Sequence, residues 1–156
     1  MALSELLTAD RIVTLIEPGD SDHVLDAAAR LLSDDSPTTT TLIASSLQAR
    51  ERMGSTAIGH GIAIPHGRST AFDEARGAFL RLAHPVDFDA SDGQPVDLVF
   101  ALAVPESFTQ QHLQLLAELA ERFADADYRA ALRSAPDVSA LHQLLTSDRA
   151  SRSAAA

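Results

Sequence analysis

Ten residues, VDLVFALAVP from Val96 to Pro105, constrain this chain more than any others. Apart from Asp97 the run is apolar to its end, with no alternation of polar and apolar positions. A strand of that kind must be covered on both faces, which requires a sheet between two layers and not a sheet with one wet side. Around it, helical and strand-like periodicities alternate, and the pattern reads as α/β. DHVLDAAARLLSDD after Ser21 reads as a capped amphipathic helix, and PTTTTLIASSLQARERM as a second, with Pro37 and a threonine cap at its start and its end before Gly54. Ala75 to Ala83 reads as a strand, Thr109 to Ala124 as a long helix, and DYRAALRSA and DVSALHQLLTS as two shorter ones.

At 156 residues the chain has the length of one domain with a real core. No linker or repeat divides it, so residues 1–147 form the expected domain and DRASRSAAA, 148–156, a frayed tail with nothing to bury. A formal charge of −10 argues against a nucleic-acid footprint and against docking on an anionic membrane. The absence of cysteine excludes disulfides, zinc–thiolate sites and thiol nucleophiles. No apolar run is long enough to span a bilayer, and MALSELLTADRIVTLI lacks the basic start of a signal peptide, so a soluble cytoplasmic protein is expected.

The chemistry concentrates in GSTAIGHGIAIPHGRS, Gly54 to Ser69. A short strand, Ile62-Ala63-Ile64, is expected to stop at Pro65, which cannot donate to a sheet ladder, and to deliver His66 off the sheet. Gly67 permits a sharp departure or the close approach of another backbone. Taken alone, this is equally a Pro-Gly turn with an incidental histidine. Two further residues bear on it. His112, Leu115, Leu116, Leu119 and Phe123 form one helical stripe, which puts His112 on the buried face of a first turn, where backbone N–H groups also favour an anion. Ile43, Leu47 and Arg50 share a face of the preceding helix, so Arg50 ends a buried stripe while Arg52 faces water; a rim salt bridge from Arg50 to Glu51 or Asp73 is the competing fate. If the strand of His66 runs parallel to Val96–Val104, both histidines emerge at one carboxyl edge. Two imidazoles and a guanidinium there suit a phosphoryl group in transfer, one imidazole as nucleophile and the rest as charge clamp.

Other chemistries fit less well. His60 and His66 are six apart, with Pro65 between them and no carboxylate in a ligand pattern, so no metal is expected. There is no Gly-x-Ser-x-Gly elbow and no Gly-x-x-x-x-Gly-Lys loop. His23, His84 and His142 read as surface or structural histidines.

The segment Arg50-Glu51-Arg52-Met53-Gly54-Ser55-Thr56 followed by AIGHGIAIPHG resembles the active-site segment of the fructose/mannitol-type enzyme IIA domains of the bacterial phosphoenolpyruvate:sugar phosphotransferase system, most of all their nitrogen-regulatory branch. The similarity continues through FDASDGQPVDLVFALAVP and HLQLLAELAERFAD, nearly the whole chain. It implies a single mixed sheet of about five strands flanked by helices on both faces. It also implies that His66 accepts a phosphoryl group from the phosphohistidine of HPr or its nitrogen-branch counterpart, with His112 and Arg50 as the other active-site residues. Regulatory target proteins or a IIB domain are the implied onward partners, and no cofactor is needed. One departure is His60, where the nitrogen-type segment usually carries asparagine. A free-standing sugar-transport IIA and a non-catalytic binding module that kept the fold are the alternatives.

Overall fold

The computed structural model describes residues 3–107 and 109–147; the expected tail at 148–156 lies outside the described residues. After a short helix α1 (Leu3–Leu6) and a 3-10 turn (Ala9–Arg11) come β1 (Ile12–Leu15), α2 (Ser21–Leu32) and α3 (Pro37–Arg52). There follow β2 (Ala57–Gly59), β3 (Ile62–Ala63), β4 (His66–Ser69), β5 (Arg76–Val86) and β6 (Val96–Pro105), then α4 (Thr109–Phe123), α5 (Ala126–Ser134) and α6 (Val138–Thr146). The strands form one mixed sheet in the order β1-β5-β6-β3-β2, with β4 also beside β6. β1 is parallel to β5, β6 is antiparallel to β5, and β3 and β4 run parallel to β6.

β6 is the buried centre its sequence requires, and it divides the core in two. Leu98, Phe100, Leu102 and Val104 belong to one apolar cluster with Leu115, Leu119 and Phe123 of α4 and with Tyr128, Leu132, Leu141 and Leu145 of α5 and α6. Val99, Ala101 and Ala103 belong to the other, with Val24, Leu25, Ala28 and Leu32 of α2 and Ile43 and Leu47 of α3. One face therefore carries branched and aromatic bulk, the other several alanines, so α3 can lie close.

The helix starts differ from expectation by one residue. Asp20, not Ser21, caps α2 and accepts from the His23 amide at 3.0 Å; Asp20 leaves Ser21 inside the helix. Pro37 occupies the first turn of α3 behind Ser36, so no threonine caps it; the proline's missing N–H would have had no partner there.

The larger difference concerns Pro65. β3 does end before Pro65, at Ala63, but the chain does not leave the sheet. Ile62 pairs with Leu98 and His66 with Leu102, so β3 and β4 keep a single register along β6. Ile64-Pro65 is a gap in one line of pairing, bridged by the Leu102 amide donating to the Pro65 carbonyl at 2.9 Å. The missing donor costs the ladder one bond without turning the chain away. His66 is thus held in the sheet, and the six strands fill five positions across it.

Gly67 serves close approach, not a turn. A Cβ there would lie 3.0 Å from Ser46 Cβ of α3 and closer still to its Oγ, while Ser46 Oγ donates to the Arg68 carbonyl at 2.9 Å. Gly67→Ala is expected to destabilise the fold by about 1–3 kcal/mol through overpacking. The double variant with Ser46→Ala, which removes the obstructing hydroxyl, should recover most of that loss. Urea unfolding of both variants checks this; no recovery would mean that Gly67 is required for another reason.

Candidate functional site

Parallel pairing of β4 with β6 carries His66 to the carboxyl edge of the sheet, and α4 begins only a few residues beyond the end of β6. His112, in the first turn of α4, lies over that edge. The two rings meet edge to face, with centroids 5.0 Å apart and planes at 89°. Arg50, in the last turn of α3, lines the same open cavity of about 510 Å³, together with Ser46, Met53, Arg68, Leu113 and others. The three residues singled out from sequence are therefore brought together.

Each is held differently. His66 Nδ1 lies 2.8 Å from the Ile64 carbonyl, which can only accept, so Nδ1 carries the proton and Nε2 is left with its lone pair. Arg50 Nη1 donates to the Gly54 carbonyl at 2.8 Å, which anchors one side of the guanidinium across the turn after α3. Glu51 does not pair with Arg50; its carboxylate accepts from the Thr56 amide at 2.9 Å and hydroxyl at 2.5 Å. Arg52 is exposed, as the stripe predicts.

His112 is 7% exposed, and its Nε2 is a buried nitrogen without a hydrogen-bond partner among the described residues. An unsatisfied buried acceptor or donor is costly, and such groups are commonly kept for a ligand. Burial, then the neighbouring His66 and Arg68, hold the His112 imidazolium down to about 4. Burial is also the main cause that keeps His66 below the ordinary histidine value, with Arg50 adding to it. Both rings are neutral at pH 7, and the fixed positive charge of the cavity belongs to the arginines.

Two polar residues of the cavity, Arg68 and Ser46, were not singled out from sequence. Arg68 sits two positions after His66 in β4, and strand periodicity alone puts both on one face. Ending the strand at Pro65 concealed that signal. Ser46 carries no such signal, because its place depends on how α3 packs against β4.

His60 is elsewhere. It occupies the turn between β2 and β3 with φ of 58°, flanked by Gly59 and Gly61 also at positive φ. Histidine and asparagine both tolerate this region better than most residues, which is a backbone reason for either at this position. His60 lines a different cavity, with Asp92, Asp97 and Arg133. Among the described residues no group of three or more His, Asp or Glu side chains is placed to hold a metal ion. His23 and His84 are exposed and His142 is half-buried in α6.

The low value for His112 has a consequence for stability. An unfolded chain takes up this proton near the ordinary histidine value of about 6.5, the folded one only near 4. Stability is full above the higher value and is lost as pH falls through that window, on the order of 3 kcal/mol for this group. His112→Gln should therefore flatten the pH dependence of urea unfolding between about pH 6.5 and 4. An unchanged slope would show that His112 is not the group resisting protonation.

Known proteins share this arrangement of chain. A nitrogen regulatory protein of Pseudomonas aeruginosa is 44% identical over 144 residues, covering 92% of this chain and 94% of that one. The crystal structure of nitrogen regulatory protein IIA-Ntr from Neisseria meningitidis superposes with a TM-score of 0.86 at 38% identity, over 92% of this chain and 99% of that one. The IIA mannitol structure from Escherichia coli, at 22% identity and a TM-score of 0.71 over 89% and 98% of the two chains, shares the fold. Residues 5–148 match the family model described as phosphoenolpyruvate-dependent sugar phosphotransferase system, EIIA 2, and the chain belongs to that family.

Proposed function

We propose that this protein is a histidine phosphocarrier that takes a phosphoryl group from the phosphohistidine of an HPr-type carrier onto Nε2 of His66, and acts as a nitrogen-type regulatory IIA. The observation that carries the reading is the state of His66: its Nδ1–H is tied to the Ile64 carbonyl, and its unprotonated Nε2 shares a cavity with His112 and Arg50. A lone pair in place on a ring that need not first lose a proton is what a nucleophile requires at neutral pH.

The step balances without other reagents. The Nε2 lone pair forms the new N–P bond as the donor N–P bond breaks, and that electron pair returns to the donor ring. If the donor ring carries a proton on its second nitrogen, it leaves as neutral imidazole. His66, retaining Nδ1–H, takes over the ring charge. What remains for the protein is positioning and electrostatics. Arg50 supplies a guanidinium to the equatorial oxygens. His112 Nε2, which lacks a partner among the described residues, becomes a donor to a phosphoryl oxygen if the neutral ring carries its proton there. No metal or nucleotide enters the step. The large share of each chain covered by the nitrogen regulatory relatives supports the regulatory branch.

Incubation with phosphoenolpyruvate, enzyme I and the HPr-type carrier should add one phosphoryl group, acid-labile and alkali-stable, with a 31P and 15N signature of Nε2 substitution. His66→Ala should abolish it with the fold intact. His112→Ala and Arg50→Ala should slow it by about 10²–10³-fold, the usual loss for one preorganised donor. Arg52→Ala should stay within a small factor of wild type. Rapid-quench kinetics with circular dichroism checks all four variants, and phosphorylation of His66→Ala at another histidine would overturn the assignment.

The competing reading is a sugar-transport IIA that passes its phosphate to a IIB domain. A phosphoryl group brings up to about two negative charges beside neutral rings and arginines, enough to exchange one partner surface for another without refolding. Pull-downs with phosphorylated wild type and with His66→Ala should retain different proteins. Identical sets, together with rapid transfer to a IIB domain, would favour transport.

A further inference from the structure

The cavity holds a second guanidinium that the reading above does not use. On β4, Arg68 and His66 pair with Val104 and Leu102, both on the α4 face of β6, while Gly67 between them faces α3. Two residues along a strand span about 6.5 Å, within reach of an arginine side chain. Both line the same cavity, and Arg68 stands close enough to help keep His112 unprotonated.

Arg68 is built unlike Arg50. Its backbone is fixed twice, by pairing opposite Val104 and by the Ser46 hydroxyl on its carbonyl. Its side chain is exposed, and among the described residues no carboxylate or carbonyl accepts from its guanidinium. Arg30 and Arg52 also lack such a partner but lie away from the cavity, whereas other arginines of this acidic chain are claimed: Arg11 and Arg76 by Asp34, Arg133 by Asp97, Arg81 by backbone carbonyls. The chain has no lysine, so its permanently cationic side chains are all arginine, whose planar fork fits phosphate oxygens two at a time.

We infer that Arg68 is the residue that closes on the phosphoryl group once it is on His66, and so sets how fully and how long the protein remains phosphorylated. The inference rests on phosphorylation of His66. It divides the labour between two guanidinium groups. Arg50, anchored on the Gly54 carbonyl, is in place before the donor arrives and acts on the rate of transfer. Arg68, held by backbone alone, orders only when a dianion is present, and its contacts exist in the phosphorylated state and not before. Such contacts shift the equilibrium between carriers and slow loss of the group to water, while leaving the approach of the donor almost unchanged.

The test loads wild type, Arg68→Gln, Arg68→Lys and, as an exposed control, Arg52→Gln in two ways. One is the phosphoenolpyruvate relay; the other is phosphoramidate, a small donor that needs no carrier. Two quantities are read: the share of protein phosphorylated at equilibrium with the carrier, and the midpoint of the phosphoryl group's last ionisation, followed by 31P shift against pH. Arg68→Gln should lower the equilibrium ratio about tenfold or more, the scale of one charge-assisted hydrogen bond, and should move the phosphoryl midpoint upward. Arg68→Lys should restore part of both, and Arg52→Gln neither. A purely structural role for Arg68 would leave the ionisation midpoint in place. If wild type loads on His66 and Arg68→Gln matches it in both quantities, this inference fails while the phosphocarrier reading stands. If wild type loads on His66 from neither donor, both fail.

Discussion

The organisation of this protein depends on one register: β3 and β4 lying as a single line against the parallel β6, with Ile64-Pro65 as its one gap. A shift of one residue would turn His66 and Arg68 toward α3 and put Gly67 against α4, because side chains alternate along a strand. The core pins that register. Leu98, Phe100, Leu102 and Val104 fit the bulky face, and Val99, Ala101 and Ala103 the tight one, so slipping would bury mismatched volumes on both sides at once. Pro65 adds a second constraint, since no hydrogen-bonded pairing is available to it as a donor. Strand geometry and the carbonyl of Ile64 then decide which nitrogen of His66 faces the cavity.

Electrostatics in the cavity follows from how much each group is covered. His112 is buried and His66 half-buried, which keeps both imidazoles neutral, whereas the guanidinium groups keep their charge, as arginine does in proteins. The resting site is thus a pair of uncharged nitrogen bases within a fixed positive field, in a chain of net charge −10. That combination favours an incoming dianion more than it favours any neutral ligand. The partnerless Nε2 of His112 belongs to the same picture, for its burial is a cost that a phosphoryl oxygen would relieve. Apolar Met53 and Leu113, largely exposed at the rim, give the cavity a border that is neither charged nor closed.

Much of this was legible in particular residues. The apolar run of β6 required a covered sheet, the stripe from His112 to Phe123 placed that histidine on a buried face, and the stripe through Ile43 and Leu47 separated Arg50 from Arg52. What misled was Pro65, read as the end of a strand. Proline removes a donor, and from sequence an interrupted strand and a terminated one look the same. That single difference hid Arg68, whose place beside His66 follows at once when β4 is continuous. His60, which the sequence reading set apart from the nitrogen-type pattern, belongs to a turn at positive φ and to another cavity.

By itself the sequence determined which residues are buried, which helices present which face, and which histidines carry unusual surroundings, because those properties follow from local periodicity and from the conformational limits of proline and glycine. The tertiary structure alone decided which strand lies beside β6 and in which direction, that Ser46 fits the gap left by Gly67, that Arg50 is tied to Gly54, and which ring nitrogen is free. Each of those depends on atoms far apart in the chain meeting within a few ångströms. No local pattern encodes such a distance; it emerges when two dissimilar core faces are packed at once around a single buried strand.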